Sequence, residues 1–585
     1  MLGKLKNIDI TFYIETTKVS KPKYINFSNL SFDDKSFFKS KSNIKALKKT
    51  FDKNKNLFFR WFHLKSNYSS KFWWMSSINM KNNISNKYFD HLTYLVFLND
   101  MILNNEINNK VVVLNEINLA YDFFKLLRKK NIIFYTDLKR IYFFKFKYLI
   151  ISKLKLFFNI LRFLIDFNFS LIINKLLPKQ NFIFDKKRIK IFHLCMSTKN
   201  ILNQKSNFKC DYFKEASNYK SNKFITLKLP WIFDSNIISK FKIMKKLNSK
   251  NIINLFSFIG FNFQFKIIYY IFKCFSQNIF EKNYYDIDIT SLLNNYKYFN
   301  TSLLLKNYSF WSYGKILNDL SNNSNIIDFY DPFHMGISEV IQKTIKTRSN
   351  IKFYGYYHSI SSESALGYVF NKEEINSHFF PDTVILNTKN SFKLNSLHQY
   401  KNKFISGPAI RQNFSKDITF NEYNSPLYDI FFILPLNSEF VDEFISLIHL
   451  NSSFLSKFKL AFKLHPKFLT TFNKIDLPKN LNYEIIYDDI QISIFSSKLS
   501  ISVASGSFID CLSLSGICFT YNPTFSLDWD FKEISNKYNK DFNINAYNFQ
   551  SKITNTLYNY ELEKNIYRKI SLDFNKNFSF NSQLF

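Results

Sequence analysis

Five short apolar runs recur between residues 428 and 521: Tyr428–Leu434, Phe458–Leu464, Tyr483–Ile486, Leu499–Val503 and Ile517–Tyr521. Helix-like segments separate them. The clearest is Ser438–His449, with Ser438 placed to cap it and Glu439, Asp442 and Glu443 in its first turns. Strands joined through helices return in the same direction and pair in parallel. The pattern therefore predicts a doubly wound α/β sheet, a fold that receives ligands outside the carboxyl ends of its strands.

The same alternation runs through the first half, at Lys110–Leu114, Ile132–Tyr135, Ile189–Leu194, Asn325–Tyr330, Ile351–Tyr357 and Thr383–Leu386. Asn118–Lys129 and Gly336–Lys346 have helical patterns. All of these strands are expected in one mostly parallel sheet. A polar stretch between Gly407 and Pro426 reads as a linker. The chain then divides into residues 1–407, a linker at 408–427, and residues 428–585. The fold class is α/β, with two Rossmann-like domains, a cleft between them and helical insertions in the N-terminal half. That architecture is called GT-B.

The 585 residues carry a formal charge of +35, which invites a nucleic-acid or anionic-membrane reading. The chain holds 71 Phe but only 9 Gly and 11 Pro. Phe, Lys, Asn, Ile and Tyr are inflated together, as an AT-rich coding sequence dictates. The excess charge then reads as a solvated surface spread thinly, and the chain shows no nucleic-acid motif. Five scattered cysteines form no CxxC pair, which fits a reducing cytoplasm. Cys511 and Cys518 read as small core residues. Charges interrupt the N-terminus too early for a secretory signal. No uncharged apolar window is long enough to span a bilayer. The apolar stretch Ile141–Leu177 is punctuated by seven charged residues. Two readings stand for it: a buried helical hairpin, or a helix in the membrane interface.

Two segments carry the chemistry. In Ser500–Asp510 a buried strand runs into the small-residue turn Ser505-Gly506-Ser507 and then into a helix. Free amides at the helix start stabilise an anion, and Ser502, Ser505 and Ser507 add hydroxyls. A plain helix cap is the structural alternative. In Lys463-Leu464-His465-Pro466-Lys467, His465 closes a strand where Pro466 ends the ladder. The imidazole can donate to a phosphate, and Lys463 or Lys467 can neutralise charge.

These two motifs resemble bacterial surface-carbohydrate glycosyltransferases of GT-B type. Their relatives include capsule Kdo transferases, polysialyltransferases and teichoic-acid glycerophosphotransferases. The family's HP element matches His465-Pro466, and its serine-rich element matches Ser502–Ser507. Gly407-Pro408-Ala409-Ile410-Arg411 resembles the turn that ends the family's first domain, and Trp73-Trp74-Met75-Ser76-Ser77 resembles a stretch in a subgroup. The resemblance implies a nucleotide-sugar donor held by Lys463, His465, Pro466, Lys467, Ser502, Ser505, Gly506 and Ser507. It implies no bound metal and no cofactor. The acceptor is a surface polysaccharide or lipid-linked glycan, as in capsule or lipopolysaccharide synthesis. The HP element favours a CMP-activated acidic sugar.

The acceptor side departs from the family pattern. Gly355-Tyr356-Tyr357-His358 stands where an acidic or Q-H-G element is usual, which leaves His358 and Glu363 as candidate bases. Asp328, Asp331, His334 and Glu339 form a polar cluster without metal-ligand spacing. Asp488-Asp489 could bond a ribose or sugar but read first as acids at a helix start, and the strings Asp286-Ile287-Asp288 and Asp528-Trp529-Asp530 read as solvated acids. The expected protein is cytoplasmic, peripheral at anionic inner-membrane lipid, and without nucleic acid. A CDP-polyol phosphotransferase, a non-catalytic scaffold of glycan assembly and a basic lipid- or nucleic-acid-binding protein are the rivals.

Overall fold

The computed structural model describes residues 10–14, 23–26, short helical pieces between 46 and 61, 88–108, 110–114, 116–176, 189–196, 224–230, 242, 256, 260–276, 282–299, 324–329, 352–356, 372–376, 380–386, 403–406, 426–435, 438–465, 476–487, 490–523 and 531–576. Three principal sheets organise them.

The first sheet holds β1 (Ile10–Ile14), β2 (Lys23–Asn26), β3 (Lys110–Leu114) and β4 (Phe134–Tyr135), in the order β2-β3-β1-β4. β1 runs antiparallel to β3 and β4, while β2 runs parallel to β3. The sequence pattern places Lys110–Leu114 and Ile132–Tyr135 in one mostly parallel sheet with the later strands. They belong instead to this separate mixed sheet. A buried apolar run reads the same whichever way its neighbour points, so direction is not in the sequence. The core here is closed by α1 (Tyr88–Leu103) and α2 (Ile117–Lys129). Glu116 caps α2 by accepting the Leu119 amide at 2.6 Å.

The second sheet is wholly parallel. It contains β5 (Ile189–Met196), β6 (Phe224–Pro230), β9 (Ser324–Phe329), β10 (Lys352–Tyr356), β11 (Thr383–Leu386) and β12 (Phe404–Ser406). Its order, β12-β11-β10-β9-β5-β6, reverses direction of growth between β5 and β9. A small hairpin, β7 (Asn283–Tyr284) with β8 (Ile287–Asp288), precedes β9.

The third sheet is β13 (Tyr428–Ile433), β14 (Lys459–Lys463), β15 (Asn482–Ile485), β16 (Ser497–Val503), β17 (Cys518–Tyr521) and β18 (Asn543–Ile544). All pairs are parallel. Its order, β15-β14-β13-β16-β17-β18, is the Rossmann order, reversing between β13 and β16. The two parallel sheets realise the expected α/β class. Cys511 and Cys518 are buried free thiols, in line with their apolar setting.

The described part of Ile141–Leu177 is not a hairpin, and it is buried on one side only. It forms one 39-residue helix, α3 (Leu138–Leu176), with much of its apolar surface exposed. By length and composition α3 could cross a membrane, although its charges leave no long uncharged window. Its first half packs against α2, where the Lys145 ammonium donates to Asn118 Oδ1 at 2.6 Å and sits 5.1 Å from the Tyr121 ring centroid. Its second half packs against α4 (Asn262–Ser276), through Asn168 Nδ2 donating to Gln264 Oε1 at 2.8 Å.

Asp286 is exposed and Asp288 half-exposed, as expected of solvated acids, but Asp288 is also structural. It pairs with Lys125 at 3.0 Å and accepts the Thr290 amide at 2.9 Å, starting α5 (Thr290–Phe299). Lys125 also pairs with Asp122, whose side chain is fully buried. The Asp122 carboxylate accepts the Ser291 and Leu292 amides at 3.2 and 2.8 Å. One acid thus ties α2 to the start of α5 across 169 residues of chain. Removing it strands the two buried amides of Ser291 and Leu292, while Lys125 keeps Asp288 as its partner. Asp122→Ala is expected to cost roughly 2–4 kcal/mol in urea unfolding, for two buried amides left without an acceptor. A loss below about 1 kcal/mol would show that packing alone holds the two helices together.

Candidate functional site

The third sheet fixes where the predicted donor residues can meet. Ile433, at the end of β13, pairs with Lys463 on one side and Ser502 on the other. Lys463, Ile433 and Ser502 therefore lie level across three strands. With strands about 4.8 Å apart, Lys463 and Ser502 are separated by roughly 10 Å. Beyond this level the chain leaves β14 through Leu464 and the half-buried His465, and leaves β16 through Ala504 and Ser505. Both exits are at carboxyl ends and flank the strand-order reversal. That is the crevice where a doubly wound sheet receives its ligand.

The serine turn is tightly built. Ser502 Oγ donates to the Ser505 carbonyl at 3.2 Å. Ser505 Oγ and Ser507 Oγ are 3.1 Å apart, and Ser505 Oγ accepts the Ser507 amide at 3.3 Å. The next amides, of Phe508 and Ile509, donate to the carbonyls of Ser505 and Gly506. The expectation of free amides at the helix start is therefore corrected: these three are spent within the turn. The helix that follows, α7 (Ser507–Ser513), is only seven residues long, which limits its dipole. Gly506 sits at φ −60°, an ordinary conformation, and a Cβ there would meet nothing within 4 Å. Its role is openness rather than backbone freedom.

The strained residue is Ala504, at φ 38°. L-residues avoid this region because Cβ crowds the backbone, and such strain gathers where a site imposes it. Its amide donates to the Tyr521 carbonyl at 2.9 Å. Tyr521 is itself held, with its hydroxyl donating to Glu443 Oε1 at 3.1 Å and its ring 5.1 Å from that of Phe444. Glu443 and Phe444 lie on α6 (Ser438–Leu450). Burial, and then the Glu443 carboxylate, push the Tyr521 phenol well above its usual value. Sequence reasoning misses Ala504, Tyr521 and Glu443 as parts of this turn. Glu443 reads only as a helix-start acid, and an alanine gives no hint of positive φ.

The sheet's opposite, amino-terminal end carries a separate polar set. Asp429 accepts from Lys498 Nζ at 2.8 Å and the Lys459 amide at 2.9 Å. Against the cost of burial, these partners hold its carboxyl below the usual range. This pair fastens strand starts and lies away from the crevice.

Of the predicted site residues, the structure brings together Ser502, Ser505, Gly506 and Ser507, with Lys463 and His465 two strands away. Pro466, Lys467, His358, Glu363, Gly407 and Arg411 lie outside the described residues. So do Trp73, Trp74, Ser76, Ser77, Asp331, His334, Glu339, Asp488, Asp489, Asp528 and Asp530. Asp328 is described on β9, by its backbone alone.

No protein-family model matches the chain, and no curated protein is detectably similar to it in sequence. Among solved structures, Acinetobacter baumannii MurG is similar at 9% identity and a TM-score of 0.34, covering 66% of this chain and 95% of its own. The glycosyltransferase SnogD from Streptomyces nogalater gives 8% and 0.39, covering 67% and 96%. A Listeria monocytogenes structure described as a UDP-N-acetylglucosamine 2-epimerase gives 9% and 0.39, covering 66% and 94%. A glycosyltransferase and an epimerase match equally well. At these scores the likeness carries no argument about reaction or substrate.

The strain at Ala504 is open to test. Ala504→Gly removes the Cβ conflict and is expected to raise stability by about 0.5–1 kcal/mol, net of glycine's entropic cost. Denaturant midpoints report it. A loss of stability would show that the conformation is comfortable for alanine.

Proposed function

We propose that the chain is a metal-independent GT-B-type glycosyltransferase. It moves a sugar from a nucleotide-activated donor to a surface polysaccharide or lipid-linked glycan in the cytoplasm. The observation that carries this reading is the crevice of the third sheet. The strand-order reversal there lies between a serine turn under strain and the exit bearing Lys463 and His465.

In this reading the donor's phosphate sits over the Ser505-Gly506-Ser507 turn, where the hydroxyls and the open face of Gly506 receive it. An acceptor hydroxyl gives its proton to His358 or Glu363 as its oxygen attacks the anomeric carbon. The bond from that carbon to the phosphate oxygen breaks, and the nucleotide departs with the negative charge. Lys463, His465 and Lys467 offset the charge as it develops. The HP element favours a CMP-activated acidic sugar. Transfer of a polyol phosphate from a CDP-linked donor would use the same cradle.

One observation favours a second reading, a non-catalytic scaffold on the same fold. The Ser507, Phe508 and Ile509 amides are consumed inside the turn, so these three do not serve a phosphate.

Thermal shift with CMP, CDP, UDP and GDP separates the two. A ligand that binds only the folded protein raises its melting temperature by mass action. The expected result is stabilisation by one nucleotide, with CMP favoured, and loss of that shift in His465→Ala. No shift with any of the four, from folded protein, would reject the donor site and leave the scaffold.

A further inference from the structure

α3 is apolar on two opposite faces. Ile141, Tyr148, Ser152, Phe163, Phe167 and Leu171 are buried along one side, against α2, α5 and α4. The other side carries Phe143, Phe146, Ile150, Phe157, Leu161 and Ile165, all exposed. Their spacings of three, four, seven, four and four residues keep them on one helical stripe. Phe146 is 66% exposed, and Phe143 and Phe157 are each 60% exposed. The stripe runs about 33 Å along a helix of about 58 Å. Stacked single residues of this size, at this density, form a patch that needs an occupant.

Charge selects which one. α3 holds eight basic residues and one acidic residue, Asp166. Lys139, Lys147 and Lys153 are exposed on the same side as the aromatic stripe or at its edges, and Lys175 closes its far end. Two copies of this face brought together would oppose these cations, which disfavours a homodimer. An anionic bilayer supplies both partners: acyl chains for the phenylalanines and headgroups for the lysines. The buried side decides the orientation. With one side turned to α2 and α5 along its first half and to α4 along its second, only the other side of α3 is left for the bilayer, so it lies in the plane of the interface. A second aromatic stripe, Phe261, Phe265 and Phe272, is exposed on and beside α4. It adjoins α3 where the Lys175 ammonium sits 4.7 Å from the Phe261 ring centroid.

We propose that α3 is the membrane-docking surface of this protein. It lies flat on an anionic bilayer, with the Phe143–Ile165 stripe inserted and the flanking lysines at the headgroups. This assignment does not rest on the donor site.

The test is co-sedimentation of the full chain, without nucleotide, with vesicles of phosphatidylcholine alone or with about a third phosphatidylglycerol. The wild type is expected to bind the anionic vesicles and to bind the neutral ones far more weakly. Phe146→Ser with Phe157→Ser is expected to lower that affinity about tenfold or more. Both positions are exposed, so circular dichroism should stay that of the wild type. Lys147→Glu with Lys153→Glu, which spares the aromatics, is expected to weaken binding to the anionic vesicles alone. Failure of the wild type to bind, or undiminished binding by the folded phenylalanine variant, would overturn the proposal. A solution dimer that the phenylalanine variant dissociates would overturn it in favour of a second copy.

Discussion

Everything proposed for the donor crevice depends on the parallel pairing of β13 with β16. The two strands are far apart in sequence, and Ile433 meets Ser502 only because two strands and their helices are packed between them in the chain. Both strands are buried nearly throughout, as central strands of a parallel sheet must be when helices cover both faces. A slip of one residue would carry each inward side chain to the other face of the sheet. The register is therefore fixed by the core, and the core in turn fixes the position of the serine turn. The C-terminal helix α8 (Tyr560–Lys576) secures the same region from behind. Tyr567 donates to the Cys518 carbonyl at 2.7 Å, while Ser571 and Asn575 both donate to the Ser513 carbonyl at the end of α7.

That support explains how Ala504 can hold its conformation. A positive φ at a residue with a Cβ costs on the order of 1–2 kcal/mol, and it persists only where the surroundings over-determine it. Here the Ala504 amide is bound to β17, Tyr521 is bound to α6, and α7 is bound to α8. The backbone is bent between three fixed points. Gly516 shows the same economy of space, since a Cβ there would come within 2.7 Å of Ile494 Cγ2. The same Cβ would come within 3.3 Å of the Cys511 carbonyl oxygen on α7.

Much of this is legible in the chain. Apolar runs bounded by turns locate Lys110–Leu114 and Thr383–Leu386 to the residue, and the five runs after Tyr428 within one or two positions. The helix Ser438–Leu450 announces itself through its acidic start. Burial alone produces these signals, so they survive in a single sequence. Pairing direction does not, which is why the mixed first sheet reads as parallel. β1, β2, β6 and β12 escape a sequence reading altogether, being short or embedded in Lys-Asn-rich text. α3 is misleading because a helix apolar on two faces loses the periodic contrast that marks an exposed side. In the site, the serines and His465 are visible as residue types. The strain at Ala504 and the consumption of the turn's amides belong to backbone geometry, which residue types do not encode.

The distribution of charge is where composition misleads most. An AT-rich bias makes lysine abundant everywhere, and the chain's +35 reads as spread thinly. Around the third sheet several lysines are spent locally. Lys498 pairs with Asp429, Lys540 with Glu563, Lys552 with Asp541 and Lys537 with Asp573. On α3 a single acid stands among eight bases, and Lys145 donates to an amide oxygen rather than to a carboxylate. Among the described residues, positive charge in excess of acid therefore gathers on α3 beside the exposed aromatic stripe. Composition bias can supply the lysines, but it does not explain why they gather with so little acid on the same helix that leaves its phenylalanines in water. A surface that needs both an apolar and an anionic partner accounts for the two together.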